Sequence, residues 1–134
     1  MSCSTHAGAN TFTAQSWTFG TEQGTGTAAG RPLISGLTLL KPMDECSTSL
    51  FGMSVRGDHI RAATLTVTDA TGRTTLMTVA LEGMTISSYH VSGTASSPAP
   101  GESVVLGFSK ITISYFGSSG VTKFGFDLAA MKSI

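Results

Sequence analysis

The chain carries little charge: lysine plus arginine and aspartate plus glutamate number 8 each among 134 residues, and charged residues make up 12%. Proteins that bind nucleic acid or an anionic membrane usually carry a basic excess, so this balance argues against both partners. The sequence also lacks a basic start followed by an apolar run, and no apolar stretch is long enough to span a bilayer. We therefore expect synthesis in the cytoplasm, no membrane insertion, and any export to proceed without a signal peptide.

Cysteine is also scarce, and the chain contains two, Cys3 and Cys46. A disulfide framework requires several pairs, so we predict two unpaired thiols, while a single disulfide is compatible with the sequence. A zinc site requires three or four ligands at recognisable spacing. Cys3-x-x-His6 is one potential pair, but no second pair follows it, and His59 and His90 stand alone. We predict no metal site and no cofactor.

The sequence shows no arrangement that supports catalysis. A nucleophilic serine or cysteine needs a base and an orienting acid within reach, and no Gly-x-Ser-x-Gly turn occurs. The eight carboxylates mostly fall at predicted turns and strand ends, where solvated carboxylates are common: Glu22, Asp44, Glu45, Asp58, Asp69, Glu82, Glu102 and Asp127. We predict no catalytic residues and a protein that is not an enzyme.

The segment 24–30 is the one that most resembles a phosphate-binding loop. It reads Gly-x-Gly-x-x-x-Gly, one residue longer than the dinucleotide fingerprint, and it leads through Arg31 and Pro32 into a strand. A phosphate-binding loop normally opens a helix whose N-terminus meets the phosphate. Between nucleotide binding and a flexible surface loop, the sequence favours the surface loop.

Glycine, serine, threonine and β-branched residues are abundant, which is typical of an all-β protein with turn-rich connections. Alternating apolar and polar residues predict seven strands, at about 11–19, 37–42, 62–68, 74–81, 84–91, 102–115 and 124–128. Asp69–Arg73 and Glu82–Gly83 are predicted turns. In 74–81 apolar residues occupy both faces, with Leu76 on one and Val79 on the other. This pattern predicts that the helix or another subunit covers part of the outer face.

Two strand patterns change phase, which predicts β-bulges because side chains alternate strictly along a strand. In 102–115 the apolar residues shift from even to odd positions, so we place one bulge near Ser109–Lys110. In 84–91 they shift in the same way, so we place a second bulge near Ser87–Ser88. Bent strands of this kind favour the wall of a small barrel.

The segment from Asp44 to Arg56 interrupts the strand patterns. Asp44 or Ser47 is the predicted N-terminal cap of a helix, and an apolar stripe at helical spacing comprises Leu50 and Met53, with Phe51 and Val55 as further candidates. Gly57 is the predicted end of this helix.

These elements predict an all-β fold, a β-barrel of about seven or more mostly antiparallel strands with one short flanking α-helix at about 44–56. Residues 1–10 are small and polar, so we predict a flexible N-terminal tail. Residues 11–134 have the length of one domain with one core, so we predict a single β-barrel domain.

Several segments occur together in an order that resembles a known family. In chain order they are SWTFG (16–20), the loop 24–30, LISGLTLLKP (33–42), the helix start (44–51), GDHIRAATLTV (57–67), ISSY (86–89), ESVVLGFSKI (102–111) and GFDL (125–128). Over about residues 16–132 the chain resembles the haemolysin-coregulated protein (Hcp) family, the tube subunit of bacterial type VI secretion systems.

The resemblance implies a barrel subunit of a homohexameric ring, with rings that stack into a hollow tube and deliver effectors to target cells. It also implies a contractile sheath, a spike protein and small effector proteins as partners, and secretion from the bacterial cytoplasm without a signal peptide. Residues 21–34 match the family's extended loop, which implies a contact with the neighbouring ring. Family members usually begin with another strand, and MSCSTHAGAN (1–10) stands in its place here.

A second hypothesis, from a different class, is a small β-barrel binding module that holds an apolar ligand or an effector protein. This hypothesis requires an enclosed apolar cavity of about 300 Å³ or more. A filled interior would argue against it.

Overall fold

The computed structural model describes residues 14–23, 32–96 and 100–134. Their elements are β1 (Ser16–Thr18), β2 (Thr21–Gln23), β3 (Pro32–Ile34), β4 (Leu37–Pro42), α1 (Ser47–Arg56), β5 (His59–Thr68), β6 (Thr75–Ser92), β7 (Gly101–Gly107), β8 (Lys110–Gly117), β9 (Gly120–Asp127) and β10 (Lys132–Ser133). The predicted tail at 1–10, residues 11–13 of the first predicted strand and the glycine-rich segment 24–30 lie outside the described residues.

The predicted fold class is confirmed. The strand pairs with a defined register are antiparallel, and α1 is the one helix of the described part. β2 and β3 form a separate two-stranded sheet. The alternation pattern predicted no strand at residues 21–23, because this short strand carries no apolar residue for a periodicity argument to detect.

The chain divides into two compact units, which are described separately. The first unit comprises Met1–Asp58 and Thr85–Gly107. The second unit comprises His59–Met84 and Phe108–Ile134.

In the first unit, β4 pairs with β1 along one edge and with β7 along the other. The register places Leu37 opposite Leu106 and Leu39 opposite Val104, and all four side chains are buried. Leu50 of α1 is buried as well. Alternation along the two strands therefore gives this sheet one apolar face, as the sequence pattern predicted.

In the second unit, residues 77–82 of β6 pair with β8, and β8 pairs in turn with β9. Val79 lies opposite Ile113 and Leu81 opposite Ile111, and Val79, Leu81 and Ile111 are buried. The predicted alternation along β5 is confirmed, because its apolar residues from Leu65 onward are half-buried and its threonines are exposed.

The predicted single strand at 102–115 is wrong, although the position of its phase change is correct. β7 ends at Gly107 and β8 begins at Lys110, and the two strands pair with different parts of β6. Between them, the Ser109 amide donates to the Glu82 carbonyl oxygen at 3.0 Å, and the Leu128 amide donates to the Ser109 carbonyl oxygen at 2.8 Å. The phase change thus marks a break between two strands instead of a bulge within one.

The reverse holds at Glu82–Gly83, where the predicted turn is wrong. β6 runs through this point without interruption, and Gly83 bends it with a φ of 61°. The second predicted bulge is confirmed, because the register of β6 against β7 shifts between Ile86 and Ser88. The hairpin turn at Asp69–Arg73 is also confirmed, with the Asp69 amide donating to the Thr74 carbonyl oxygen at 2.9 Å.

Helix α1 begins at Ser47, three residues later than its predicted first residue, Asp44. Cys46 occupies the N-cap position and makes no side-chain capping bond. The predicted caps instead organise the turn before the helix: the Asp44 amide donates to Ser47 Oγ at 2.9 Å, and Asp44 Oδ1 accepts from the Cys46 amide at 2.8 Å. Gly57 ends the helix as predicted, in the left-handed conformation with a φ of 69°.

The prediction of unpaired thiols is wrong for Cys46, which is buried and disulfide-bonded. Cys3, the other cysteine of the sequence, lies outside the described residues. A disulfide depends on the distance between two Cα atoms in the fold, and the spacing of cysteines in a sequence carries no information about that distance.

Candidate functional site

The structure brings no cluster of metal ligands together in its described part. His59 begins β5 and His90 lies in β6, and both residues are exposed. Cys3 and His6, the other potential ligands, lie outside the described residues. That the protein has no metal site and no cofactor stays a prediction.

A cluster of five polar side chains lies in the first unit, where β4 ends, β7 begins and α1 starts. We call it the Glu102 cluster, and it consists of Lys41, Asp44, Ser47, Tyr89 and Glu102. The register of β4 and β7 pairs Lys41 directly with Glu102. Both residues have the phase of the buried leucines on their strands, so the backbone directs both charges into the core.

Both oxygens of the Glu102 carboxylate accept hydrogen bonds. Its Oε1 accepts from the Lys41 ammonium and, at 3.0 Å, from Ser47 Oγ, and its Oε2 accepts from the Tyr89 hydroxyl. Lys41 Nζ also lies 3.0 Å from Asp44 Oδ1 and donates to the Pro42 carbonyl oxygen at 3.1 Å. The side chains of Lys41 and Glu102 are both 0% exposed.

The geometry of the Glu102 cluster fits a structural role. Burying an ion pair costs several kcal/mol per charge, and close partners offset that cost only when the remaining hydrogen-bonding capacity is also satisfied. No buried side-chain nitrogen or oxygen in the described residues lacks a partner. Because the protein's own donors occupy both carboxylate oxygens, the cluster ties the start of α1 to β4 and β7 and leaves no open position for a substrate.

Sequence reasoning missed this cluster, although a signal for it was present. Lys41 continues the alternating series that begins at Leu37, and Glu102 begins the series that continues through Val104. A charge in the phase of a buried face needs a partner of opposite charge, since isolated buried charges are strongly unfavourable. A search for two such charges on neighbouring strands would have found this pair.

We expect Tyr89→Phe to reduce the alkaline destabilisation of the protein. Burial and the hydrogen bond and charge of Glu102 raise the pKa of Tyr89 to about 12, whereas tyrosine in an unfolded chain titrates near pH 10. Between these values the unfolded chain has lost a proton that the folded chain retains, so stability falls as pH rises through this window and is unaffected below it. The slope is at most about 1.4 kcal/mol per pH unit, and solvent screening reduces it.

Thermal unfolding from about pH 9 to about pH 12 tests this expectation. The midpoint of the wild-type protein should fall more steeply than that of Tyr89→Phe. Tyr115→Phe is the matched control because Tyr115 is exposed. Parallel curves for all three proteins would contradict the expectation.

Exposed apolar side chains are concentrated at the far end of the β8–β9 hairpin in the second unit. Tyr115 is 55% exposed and Phe124 is 63% exposed, and both belong to the face that buries Ile111. Phe116 and Val121, which lie opposite each other on the other face, are exposed too. We call this surface, residues 115–124, the hairpin end. It is apolar on both faces.

The structure also exposes Leu76, an apolar residue on the predicted outer face of β6. Leu76 is 38% exposed, while its neighbours on the opposite face, from Val79 onward, are buried. In the first unit, Phe51 and Val55 form an exposed stripe on α1. Several large apolar side chains therefore face solvent in each unit, which is typical of a surface that contacts another protein.

An open depression of about 370 Å³ lies beside the β2–β3 hairpin. Its lining combines apolar and polar side chains, from Leu33 and Ile34 to Glu22 and Ser35. It is a surface feature of the hairpin, unlike the enclosed apolar cavity that the binding-module hypothesis requires.

Comparisons with known proteins agree with one another. A family model described as "Type VI secretion system effector, Hcp" matches residues 3–115. Hcp1 from Salmonella typhimurium superimposes with a TM-score of 0.80 at 23% identity, covering 90% of this chain and 83% of that one. A type VI secretion system effector from Yersinia pestis gives 0.76 at 20% identity, covering 88% of this chain and 84% of that one. No curated protein sequence matches this chain.

The two structural likenesses show a shared fold, and the class is that of all-β proteins. Because the family model covers well over half of the sequence, the chain belongs to the Hcp family. Members of this family are secreted tube or effector proteins, and the family is not known for enzymatic activity. Within the described residues, no helix has the length and apolar character that crossing a membrane requires.

Proposed function

We propose that this chain is the structural subunit of a type VI secretion tube, which assembles into hexameric rings that stack into a hollow tube and deliver effectors to target cells. The observation that carries the proposal is the family match over residues 3–115. A tube subunit needs repeated contact surfaces and no active site. The occupied Glu102 cluster and the exposed apolar side chains of both units support that requirement.

The proposal includes the partners and the route of secretion. These partners are copies of the chain itself, a contractile sheath, a spike protein and small effector proteins, without nucleic acid and without membrane insertion. The subunit leaves the bacterial cytoplasm without a signal peptide and performs no catalysis. Residues 11–134 act as one domain.

Particle mass in solution tests the assembly directly. Light scattering should give a particle near six times the 13.8 kDa of one chain, and electron microscopy should show rings. A homogeneous monomer throughout the micromolar range would overturn the proposal.

We expect deletion of residues 24–30 to weaken stacking and leave single rings intact. The segment belongs to the extended loop at 21–34, to which we assign the contact with the neighbouring ring. Electron microscopy would show short stacks or isolated rings for the deletion, and longer stacks for the full chain at the same concentration. Loss of the rings themselves would show that the segment acts within a ring.

A further inference from the structure

The two units carry opposite side-chain charge. In the first unit, five carboxylates outnumber three basic side chains, which gives a net charge of −2; they are Glu22, Asp44, Glu45, Asp58 and Glu102 against Arg31, Lys41 and Arg56. In the second unit the numbers are reversed and the net charge is +2; the residues are Arg61, Arg73, Lys110, Lys123 and Lys132 against Asp69, Glu82 and Asp127. The balanced charge of the whole chain therefore conceals a segregation between its two units.

The internal ion pairs leave part of this charge exposed. In the first unit, Lys41 forms its ion pair within the Glu102 cluster. Arg56 pairs with Asp58, and Arg56 Nη2 lies 2.8 Å from Asp58 Oδ2. Glu22 and Glu45 remain exposed in that unit, and no ion pair involves them in the described residues. They are the acidic groups that a second protein would meet.

Four exposed basic side chains of the second unit appear in no ion pair of the described residues, namely Arg61, Arg73, Lys123 and Lys132, and Lys123 is the one that belongs to residues 115–124. It lies on β9 within the hairpin end, is exposed, and has no carboxylate within ion-pair distance in the described part of the chain. Its neighbours along the strand, Thr122 and Phe124, are exposed as well. The hairpin end therefore combines an apolar surface on both faces with one uncompensated positive charge.

We propose that the hairpin end of one copy docks on the acidic first unit of a second copy, with Lys123 facing Glu22 and Glu45. This inference rests on the proposed function, because it specifies which surfaces join the subunits. A second copy is the occupant that the charges favour, since each chain supplies both the basic surface and its acidic complement. Contact between two second units would instead bring net positive surfaces together.

The contact is heterologous: one surface of each copy meets a different surface of the next. Heterologous contacts build closed rings when the rotation closes and open filaments when it does not. Exposed apolar side chains of the first unit include Phe51 and Val55 on α1 and Leu33 on β3. They give the apolar side chains of the hairpin end a surface against which to be buried. Apolar burial supplies affinity, and the charges select the partner surface.

Charge reversal tests this arrangement. Lys123→Glu should weaken self-association by roughly tenfold, since it removes one attraction and adds a repulsion. The Glu22→Lys/Glu45→Lys double variant should also weaken self-association, because it reverses the charge of the acidic surface that Lys123 faces. Lys132→Glu is the matched control: it has the same change of charge in the same unit, at an exposed residue of β10 that pairs with Asp127, at the opposite end of β9 from the hairpin end. Association is measured by analytical ultracentrifugation at about 0.05 M and about 0.5 M salt.

Mixing the variants gives the decisive result. Lys123→Glu and the double variant should assemble together although each alone is weakened, because every contact in an alternating assembly then joins opposite charges. Equal weakening by Lys123→Glu and Lys132→Glu would overturn the placement at the hairpin end, and failure of the mixture to recover would overturn the assignment of Glu22 and Glu45. Both results require a wild-type protein that assembles, whereas a monomeric wild type would overturn the proposed function itself.

Discussion

Glu102→Ala is expected to lower the free energy of unfolding by about 3–5 kcal/mol, a large fraction of the stability of a small domain. The substitution takes away the carboxylate that is buried beside Lys41, while the Lys41 side chain stays 0% exposed. Ser47 Oγ and the Tyr89 hydroxyl lose their acceptor at the same time. The loss follows mainly from the charge and donors that stay buried, and only in part from the attraction within the original pair.

Urea denaturation of four proteins separates these contributions. Glu45→Ala is the control for removing an exposed carboxylate near α1 and should change stability by no more than about 0.5 kcal/mol. The Lys41→Met/Glu102→Leu double variant removes both charges together and should be much less destabilised than Glu102→Ala. If the double variant lost as much stability as Glu102→Ala, the charge left on Lys41 would not be the main cost and our account of the Glu102 cluster would be wrong.

The alternation of side chains predicted much of the fold because it is a local property. It located the phase changes near residues 87 and 109, where the structure has a register shift and a break between strands. It placed a turn at Glu82–Gly83, where β6 continues and Gly83 has a positive φ. It did not distinguish a bulge, a bend and a break between strands. That distinction depends on which residues of β6 pair with β7 and which pair with β8, and such pairing is a long-range property of the chain.

The Glu102 cluster shows the same limit for side chains. Composition suggests that Lys41 and Glu102 lie on the surface, as most lysines and glutamates do, whereas their phase on the strands directs them inward. Only the register of β4 against β7 shows that the charges of these two residues lie opposite each other and compensate each other. The start of α1 differed from prediction for a related reason, because Asp44 pairs with Lys41 and Ser47 donates to Glu102, and neither side chain is the N-cap.

The predicted contact surface rested on Leu76 and its neighbours, and the sequence pattern predicted no contact surface on β8 and β9. Ile111 is indeed buried, but Tyr115 on the same face is exposed. A periodic pattern identifies the apolar face of a strand. It does not show how far along the strand other elements cover that face. The hairpin end therefore became recognisable only from the burial of individual residues.

Gly83→Ala is expected to destabilise the protein by about 2–4 kcal/mol, through two separable effects. Gly83 has a φ of 61°, a conformation that costs an L-residue roughly 1–2 kcal/mol. An added Cβ would also overlap Ser109 Oγ and lie 3.2 Å from Ser109 Cβ. Ser109 escapes the overlap by rotating its hydroxyl away, and it then loses the hydrogen bond that it donates to the Glu82 carbonyl oxygen at 3.1 Å.

Gly57→Ala supplies the matched control, because Gly57 has a φ of 69° and an added Cβ there meets nothing within 4 Å. The difference between the two variants in urea denaturation therefore measures the cost of the contact with Ser109. Gly83→Ala/Ser109→Ala should be no less stable than Gly83→Ala, because the double variant gives up the same hydrogen bond and no longer has the overlap with Oγ. Equal losses for Gly83→Ala and Gly57→Ala would show that the approach of Ser109 contributes nothing. The expected inequality would instead show that β6 bends at residue 83 because a residue without a side chain is needed where the link between β7 and β8 bonds to Glu82.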